Sequence, residues 1–314
     1  MNKPIFVMLV GLPGSGKSTY AERLKEEGYE VFSSDSIREE LTGDASTQTE
    51  NTKVFQILHK RIKEALRAGK NAVYDATNTS WKRRTAFIGE LTSIPCIKKA
   101  YVIATPYEVC LEWNASRERK VPEYAIERMY KSFTIPYYQE GWDYIEVCYP
   151  NERFASCYGS YSQFLFDTIT YDQCNSHHKL SLGSHCEGAL NYIRDNFKST
   201  KNNFFEVKLA AALHDCGKPF VQEFMDSSRR PSDDAHYYGH EYVGCYNCLF
   251  YEHESIDILL VSALICWHML PYNMEHFLPE TKEKYIKRFT ATDELKEDFW
   301  DNLLILHEAD VYAH

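Results

Sequence analysis

No apolar run in this 314-residue chain approaches membrane-spanning length. The best candidate, Ile258 to Trp267, is short and followed by His268, whereas a bilayer needs about 20 apolar residues. The opening Met-Asn-Lys-Pro leads straight into a strand-like segment and lacks the shape of a secretory leader. Ten cysteines include a single Cys-x-x-Cys, Cys245 to Cys248, with no second pair to complete a zinc set. The thiols are expected to be reduced and the protein cytoplasmic, with no membrane partner. Excess positive charge is missing too. The net charge is −10, and it is unevenly placed: residues 1–150 hold 21 Lys+Arg and 20 Asp+Glu, whereas residues 151–314 hold 14 and 25. An acidic half of that kind excludes nucleic-acid binding by bulk electrostatics, and it suits a protein that carries divalent cations.

With 44% hydrophobic and 25% charged residues, the composition is that of a globular protein, and the length predicts two domains. Residues 1–150 form the first expected domain and residues 160–314 the second, with Pro150 to about Tyr158 as linker. Histidine follows the same division, since eleven of twelve lie at or beyond position 177. The two halves are built for different chemistry.

Residues 11 to 18 read Gly-Leu-Pro-Gly-Ser-Gly-Lys-Ser, a complete phosphate-binding loop between an apolar strand and a helix. Gly11, Gly14 and Gly16 let the backbone curl so that its N–H groups, with those of Ser15 and Thr19, face a triphosphate. Lys17 is placed to reach the β- and γ-phosphates of ATP or another nucleoside triphosphate, and the Ser18 hydroxyl to hold Mg²⁺. Strand-like runs at 4–10, 29–33, 71–75, 96–104 and 143–148 alternate with helical segments at 17–27, 51–68, 80–91, 106–118 and 122–132. That alternation predicts an α/β domain with a parallel sheet and ligands at the carboxyl ends of its strands.

The chemistry-bearing residues fall at those ends. Asp35 follows the second strand as a candidate general base, with capping of the next helix as its alternative role. Arg38, one turn later, is a candidate clamp for a phosphate on the acceptor. Asp75 ends the third strand as an active-site carboxylate, while Arg83 and Arg84 on the next helix read as surface charges. Arg117, Arg119 and Lys120 lie between two helices, where a basic lid would supply a transition-state arginine; a solvated charge run has the same appearance.

The series Gly-x-Pro-Gly-Ser-Gly-Lys-Ser-Thr, Asp35-x-x-Arg38, Asp75-x-Thr-Asn, Arg117, then Val121-Pro122 and Met129-Tyr130-Lys131-Ser132 resembles the kinase domain of phage-type polynucleotide kinase-phosphatases over most of 4–148. The resemblance implies ATP-dependent phosphorylation of a polynucleotide 5′-hydroxyl, with Asp35 as general base, Arg38 as acceptor-phosphate ligand and Arg117 as lid arginine. A lid shorter than the family's leaves Arg117 and Arg119 as alternatives. The family's usual phosphatase partner carries Asp-x-Asp-x-Thr, which is absent from this chain.

Instead, residues 181–314 show helical periodicity over Leu182 to Phe197, Phe204 to Leu213, His240 to Tyr251, Ile256 to His268 and Leu295 to Val311. Embedded in them is His214-Asp215, with His185, His240, His268 and Asp310 around it. This mixed nitrogen and oxygen set suits Mn²⁺, Fe²⁺, Co²⁺, Ni²⁺ or Zn²⁺. One ion would be held by His185, His214, Asp215 and Asp310, and a second through Asp215, His240 and His268. The pattern resembles the HD-domain metal-dependent phosphohydrolases over about 170–314, and predicts an all-α domain with Lys218 as a phosphate ligand. Its lead-in, Tyr171-Asp172-Gln173-x-x-x-His177-His178, resembles the subgroup acting on 2′,3′-cyclic phosphates and phosphomonoesters. His177 and His178 are read as a polar loop, and His236, His253, His276 and His307 as structural.

Together the two resemblances imply a bifunctional end-healing enzyme. Its partners would be RNA or DNA ends bearing 5′-OH and 3′-phosphate or 2′,3′-cyclic phosphate groups, upstream of a ligase. The alternative is a small-molecule kinase fused to a nucleotidase.

Overall fold

The apolar run before the glycine-rich loop forms β1 (Ile5–Val10), the middle strand of a five-stranded parallel sheet. The computed structural model describes residues 3–45, 47, 49–176, 179–198, 203–290 and 299–314, so His177 and His178 lie outside the described residues. Both faces of β1 are covered, which is why its sequence does not alternate. Val7 and Leu9 pack on Ala21 and Leu24 of α1 (Lys17–Glu26) and on Val73. Phe6, on the opposite face, meets Phe87 edge-on at 5.4 Å and stacks on Trp142 at 6.4 Å.

Next in the chain come β2 (Glu30–Ser33), α2 (Ser34–Thr42), α3 (Asn51–Arg67), β3 (Ala72–Asp75), α4 (Trp81–Glu90), β4 (Ile97–Ile103), α5 (Tyr107–Ala115), α6 (Glu123–Tyr130) and β5 (Tyr144–Cys148). The sheet order is β2-β3-β1-β4-β5. Chain direction across the sheet reverses at β1, so the crevice at its carboxyl end, where open α/β sheets bind ligands, receives the glycine-rich loop.

The chain divides into two compact units: Met1–Met129 with Pro136–Glu152, and Tyr130–Ile135 with Arg153–His314. Tyr130–Ile135 thus falls in the second unit, because its aromatic residues are buried there. The Tyr130 hydroxyl donates to Asn247 Oδ1 at 2.7 Å, and Phe133 packs on Tyr246 at 4.8 Å. The stretch read as a linker is structured: a 3-10 turn covers Glu152–Ser156, and the Tyr158 amide donates to the Phe250 carbonyl.

The second unit contains α7 (Tyr161–Asp167), α8 (Leu182–Asn196), α9 (Phe204–Leu213), β6 (Glu223–Met225), β7 (Pro231–His236), α10 (His240–Asn247), α11 (Ile258–Trp267), α12 (Leu270–Met274), α13 (Pro279–Phe289) and α14 (Phe299–Tyr312). It is helical but not all-α, since β6 and β7 pair as an antiparallel hairpin. The expected helix 240–251 ends at Asn247 and continues as a 3-10 turn, while residues 295–298, the start of the expected last helix, lie outside the described residues. Cys245 and Cys248 are buried in this unit, each thiol donating to a nearby backbone carbonyl. No helix among the described residues is long and apolar enough to cross a membrane.

Candidate active sites

Gly14 and Gly16 adopt φ of +86° and +90°, and a Cβ on Gly14 would sit 2.2 Å from the Cys110 carbonyl oxygen. Only glycine fits there. The loop is tied to the neighbouring strand ends, since the Gly11 amide donates to Thr77 O at 3.0 Å and Thr105 Oγ1 to Ser15 O at 2.9 Å. Gly16 caps α1 without a side-chain bond, and the first turn, which includes Lys17, Ser18 and Thr19, has no acidic residue. The helix N-terminus therefore keeps N–H groups and positive dipole for an anion. Buried Lys17 Nζ donates to Leu12 O at 2.6 Å. Burial pushes its pKa down to about 8, against the pull of Asp75. Burial also raises the Asp75 carboxyl, with Lys17 opposing.

A cavity of about 310 Å³ joins Lys17, Ser18, Asp35, Arg38, Asp75 and Arg117. Capping of α2 belongs to Ser33, whose Oγ accepts from the Asp35 amide, so the Asp35 carboxylate has a different task. Arg38 Nη1 donates to Asp35 Oδ1 at 2.7 Å, and Arg119 Nη1 lies 2.8 Å from Asp35 Oδ2. Of the two lid candidates, Arg119 pairs with Asp35, whereas the Arg117 charge acts on Lys17 and Asp75.

Arg84 corrects the sequence reading. Far from being a surface charge, it is 1% exposed. Its Nε and Nη2 donate to Glu140 at 2.8 and 2.6 Å, and Nη1 donates to Asn78 O at 2.8 Å. Asn78, at φ 48°, in turn donates from Nδ2 to Leu9 O at 2.8 Å. This buried fork fixes the segment after Asp75 against the strand that feeds the phosphate loop. Arg83 lines the cavity instead.

In the second unit, His185 on α8, His214 and Asp215 after α9, His240 opening α10, His268 ending α11 and Asp310 on α14 converge. Every one of the four histidines is anchored through Nδ1 to a backbone carbonyl: Ala313, Ala211, Tyr237 and Ile265, at 3.2, 2.8, 2.8 and 2.7 Å. With Nδ1–H donating, each Nε2 offers a lone pair to the centre. Yet His185 Nε2 and His214 Nε2 are 3.0 Å apart, and His240 Nε2 and His268 Nε2 are 3.2 Å apart. A proton shared between the two nitrogens of a pair accounts for such a spacing, and so does one ion, since two nitrogens bound at about 2.1 Å at roughly a right angle lie about 3 Å apart. The donor set therefore fits metal.

Asp215 stands between the pairs. Its Oδ2 is 3.4 and 3.5 Å from His185 and His214, and its Oδ1 is 3.3 and 3.9 Å from His240 and His268. Asp310 Oδ1 closes the first pair at 3.1 and 3.4 Å. Burial opposes charge on Asp215, but Lys218 and the imidazoles outweigh it and hold its carboxyl well below the usual range. His214, also opposed by burial, is raised to about 9 by Asp215 and Asp310. Burial with the neighbouring His240 and His214 pushes His268 down to about 3. Gly217 permits this closeness, because a Cβ there would lie 2.1 Å from the His240 carbonyl oxygen. Lys218, expected as a phosphate ligand, is buried with Nζ 2.7 Å from both Asp215 Oδ2 and Gln173 Oε1.

His314 escaped the sequence reading. Its Nε2 is 3.6 Å from Asp310 Oδ1 and its ring 4.8 Å from that of His185. The i,i+4 spacing of Asp310 and His314 was the available signal. Gln173, which holds Lys218, was visible only as part of the lead-in motif.

Residues 6–136 match the AAA domain family. The first half is a P-loop, kinase-like α/β domain. Among curated proteins the chain is 26% identical over 168 residues to "Transcription factor bHLH140" of Arabidopsis thaliana, covering 51% of this chain and 18% of the relative. It is 24% identical over 149 residues to an L-seryl-tRNA(Sec) kinase of Methanococcus maripaludis, covering 46% and 58%. The chain thus spans less than two thirds of the length of either relative. Among solved structures, a chain of a Pnkp1/Rnl/Hen1 RNA repair complex aligns with 22% identity and a TM-score of 0.36, over 41% of this chain and 43% of that one.

Proposed function

We propose that the chain is a bifunctional nucleic-acid end-healing enzyme, phosphorylating 5′-OH ends with ATP and hydrolysing 3′-phosphate or 2′,3′-cyclic phosphate ends. The observation that carries the reading is Asp215, whose two oxygens divide between two imidazole pairs in a chain that also holds a phosphate loop and Asp35.

In the kinase half, Lys17 and the first N–H groups of α1 would hold the β- and γ-phosphates, and Ser18 would hold Mg²⁺. Asp35 accepts the proton of the acceptor hydroxyl as its oxygen bonds to the γ-phosphorus and the bond to the β-phosphate oxygen breaks, releasing ADP. Arg38 and Arg119 aim Asp35, and Arg117 adds positive charge beside Lys17. Removing such a base typically costs about 10²–10⁴-fold in rate.

In the other half, His185, His214, Asp215 and Asp310 would hold one transition-metal ion and Asp215, His240 and His268 a second. Ions of this class, Mn²⁺, Co²⁺, Ni²⁺, Fe²⁺ or Zn²⁺, polarise a phosphoryl oxygen and generate hydroxide near neutral pH. The Ala313, Ala211, Tyr237 and Ile265 carbonyls fix the imidazole tautomers, and Lys218, held by Gln173, keeps Asp215 in place. These groups are buried, so the charges among them are little screened by solvent.

The test is to incubate the protein with ATP, Mg²⁺, Mn²⁺ and a cleaved RNA bearing 5′-OH and 2′,3′-cyclic phosphate ends, then identify both product ends. A 5′-phosphate and a 3′-OH are expected, the ends a ligase needs. Unchanged RNA ends, with free nucleosides phosphorylated instead, would favour a small-molecule kinase joined to a nucleotidase.

A further inference from the structure

A cavity of about 600 Å³ in the second unit lies apart from both candidate active sites, sharing no lining residue with the phosphate-loop cavity or the histidine cluster. Its volume falls within the range for small-molecule pockets, about 300–1,000 Å³. Phe205, Lys208 and Leu209 line it from α9, since positions i, i+3 and i+4 share one helical face. Tyr161, the first residue of α7, and Ile256 add apolar surface. Phe205 is 57% exposed, which leaves a large aromatic face open to a ligand.

Much of the remaining wall is the segment 252–256, and backbone bonds fix it. The Glu252 amide donates to Gly159 O at 2.9 Å, the Ile256 amide to His253 O at 3.1 Å and the Asp257 amide to Glu206 Oε1 at 3.3 Å. Three charged side chains line the cavity: Lys208, Glu252 and Glu254. None of them makes a side-chain hydrogen bond or ion pair among the described residues, so the ammonium and the two carboxylates do not pair with one another. The cavity therefore offers one cation, two anions and an apolar, partly aromatic surface.

Two carboxylates and one ammonium are matched, charge for charge, by a molecule that carries two cations and one anion. We propose that this cavity binds a free basic α-amino acid such as arginine. The ligand carboxylate meets Lys208, its α-ammonium and side-chain cation divide between Glu252 and Glu254, and its aliphatic stem lies on Leu209 and Ile256. A guanidinium gains further from the face of Phe205 or Tyr161. A neutral amino acid leaves one carboxylate unmatched, and a diamine leaves the Lys208 ammonium without an anion. A nucleotide brings its phosphate up to two carboxylates. This site stands independently of the proposed function.

The experiment is calorimetric titration of the full chain with L-arginine and with analogues that each lack one charge. Agmatine lacks the carboxylate, Nα-acetyl-arginine the α-ammonium and citrulline the side-chain cation. Arginine should bind saturably, and loss of a contact with an exposed glutamate should weaken binding by about 2- to 5-fold. The half-buried Lys208 should count for more, roughly 10-fold, through a charge-assisted bond. Lys208→Met should weaken arginine to the level of agmatine and leave agmatine no weaker. Of Glu252→Gln and Glu254→Gln, one should erase the preference over Nα-acetyl-arginine and the other the preference over citrulline. All three variants should melt like wild type without ligand, since these side chains hold nothing else among the described residues.

A wild type without saturable arginine binding would overturn the assignment. Agmatine, citrulline or a neutral amino acid such as leucine binding as tightly as arginine would also overturn it, as would Lys208→Met weakening arginine and agmatine alike. The analogue series needs only the wild-type protein, so a variant that failed to fold would leave the test intact.

Discussion

Replacing Asp215 with asparagine keeps the shape of the side chain and removes one negative charge from among four imidazoles and the Lys218 ammonium. The carboxylate reaches both imidazole pairs, at 3.3 to 3.9 Å, because each of its oxygens is an anionic acceptor. An amide has one carbonyl oxygen, so one pair must face an NH₂ group. Loss of about 4 kcal/mol of metal-derived charge stabilisation corresponds to a drop of roughly 10³-fold in hydrolysis. Stability changes as well. Lys218, 3% exposed, loses its carboxylate partner, and a buried pair broken on one side costs about 3 kcal/mol at the low end of the range. For a domain of this size that lowers the melting midpoint by roughly 6–12 °C. Elemental analysis, cyclic-phosphate hydrolysis and 5′-kinase activity would be measured on one preparation, the kinase serving as the folding control. A variant with full metal content and wild-type hydrolysis would refute the bridging role. Parallel loss of kinase activity would refute two independent centres.

In the kinase half, Lys17→Ala and Asp35→Ala should each cut 5′-phosphorylation by about 10²–10⁴-fold with hydrolysis unchanged, and a matched fall in both activities would count against this. The Lys17 pKa of about 8 sets a pH dependence. Below that value the ammonium is already charged, whereas above it a bound triphosphate must restore the proton. ATP affinity should therefore fall as pH rises from 7 to 10, and calorimetry in buffers of different ionisation enthalpy at pH 9 should show proton uptake that Lys17→Ala abolishes. Arg84→Met strands the Glu140 carboxylate in the core and should cost about 3–5 kcal/mol in urea melts. Adding Glu140→Gln should recover much of it, and a single variant as stable as wild type would show that the pair is not needed. EDTA should stop hydrolysis, with Mn²⁺, Co²⁺ or Ni²⁺ restoring it better than Mg²⁺ because imidazole favours transition metals. Equal rescue by Mg²⁺ would point to oxygen ligands instead.

What the sequence by itself determined is local or periodic. The phosphate loop was legible because its function is backbone curvature, which Gly14 and Gly16 impose wherever strand and helix flank them. β1 was legible because a strand covered on both faces is apolar throughout, and the helices carrying His185, His214 and Asp310 because an apolar stripe recurs with the helical period. Asp35 and Arg38 share a helical face by spacing alone.

Only the tertiary structure decided the partners of charges far apart in the chain. Nothing near Arg84 announces Glu140, 56 residues away, and without that partner an arginine in a charge run reads as solvated. Arg83 and Arg84 are neighbours that point into different surroundings, a cavity and a core, and no local rule separates them. The β6–β7 hairpin was missed because β6 has only three residues and β7 is mostly polar, leaving little hydrophobic alternation to read. The six residues of the proposed metal site could be nominated from residue type. The division of Asp215 between two imidazole pairs came from five helices meeting, and from a tight approach that Gly217 allows. Contacts of that kind depend on which faces pack together, and the chain encodes those only through the whole fold.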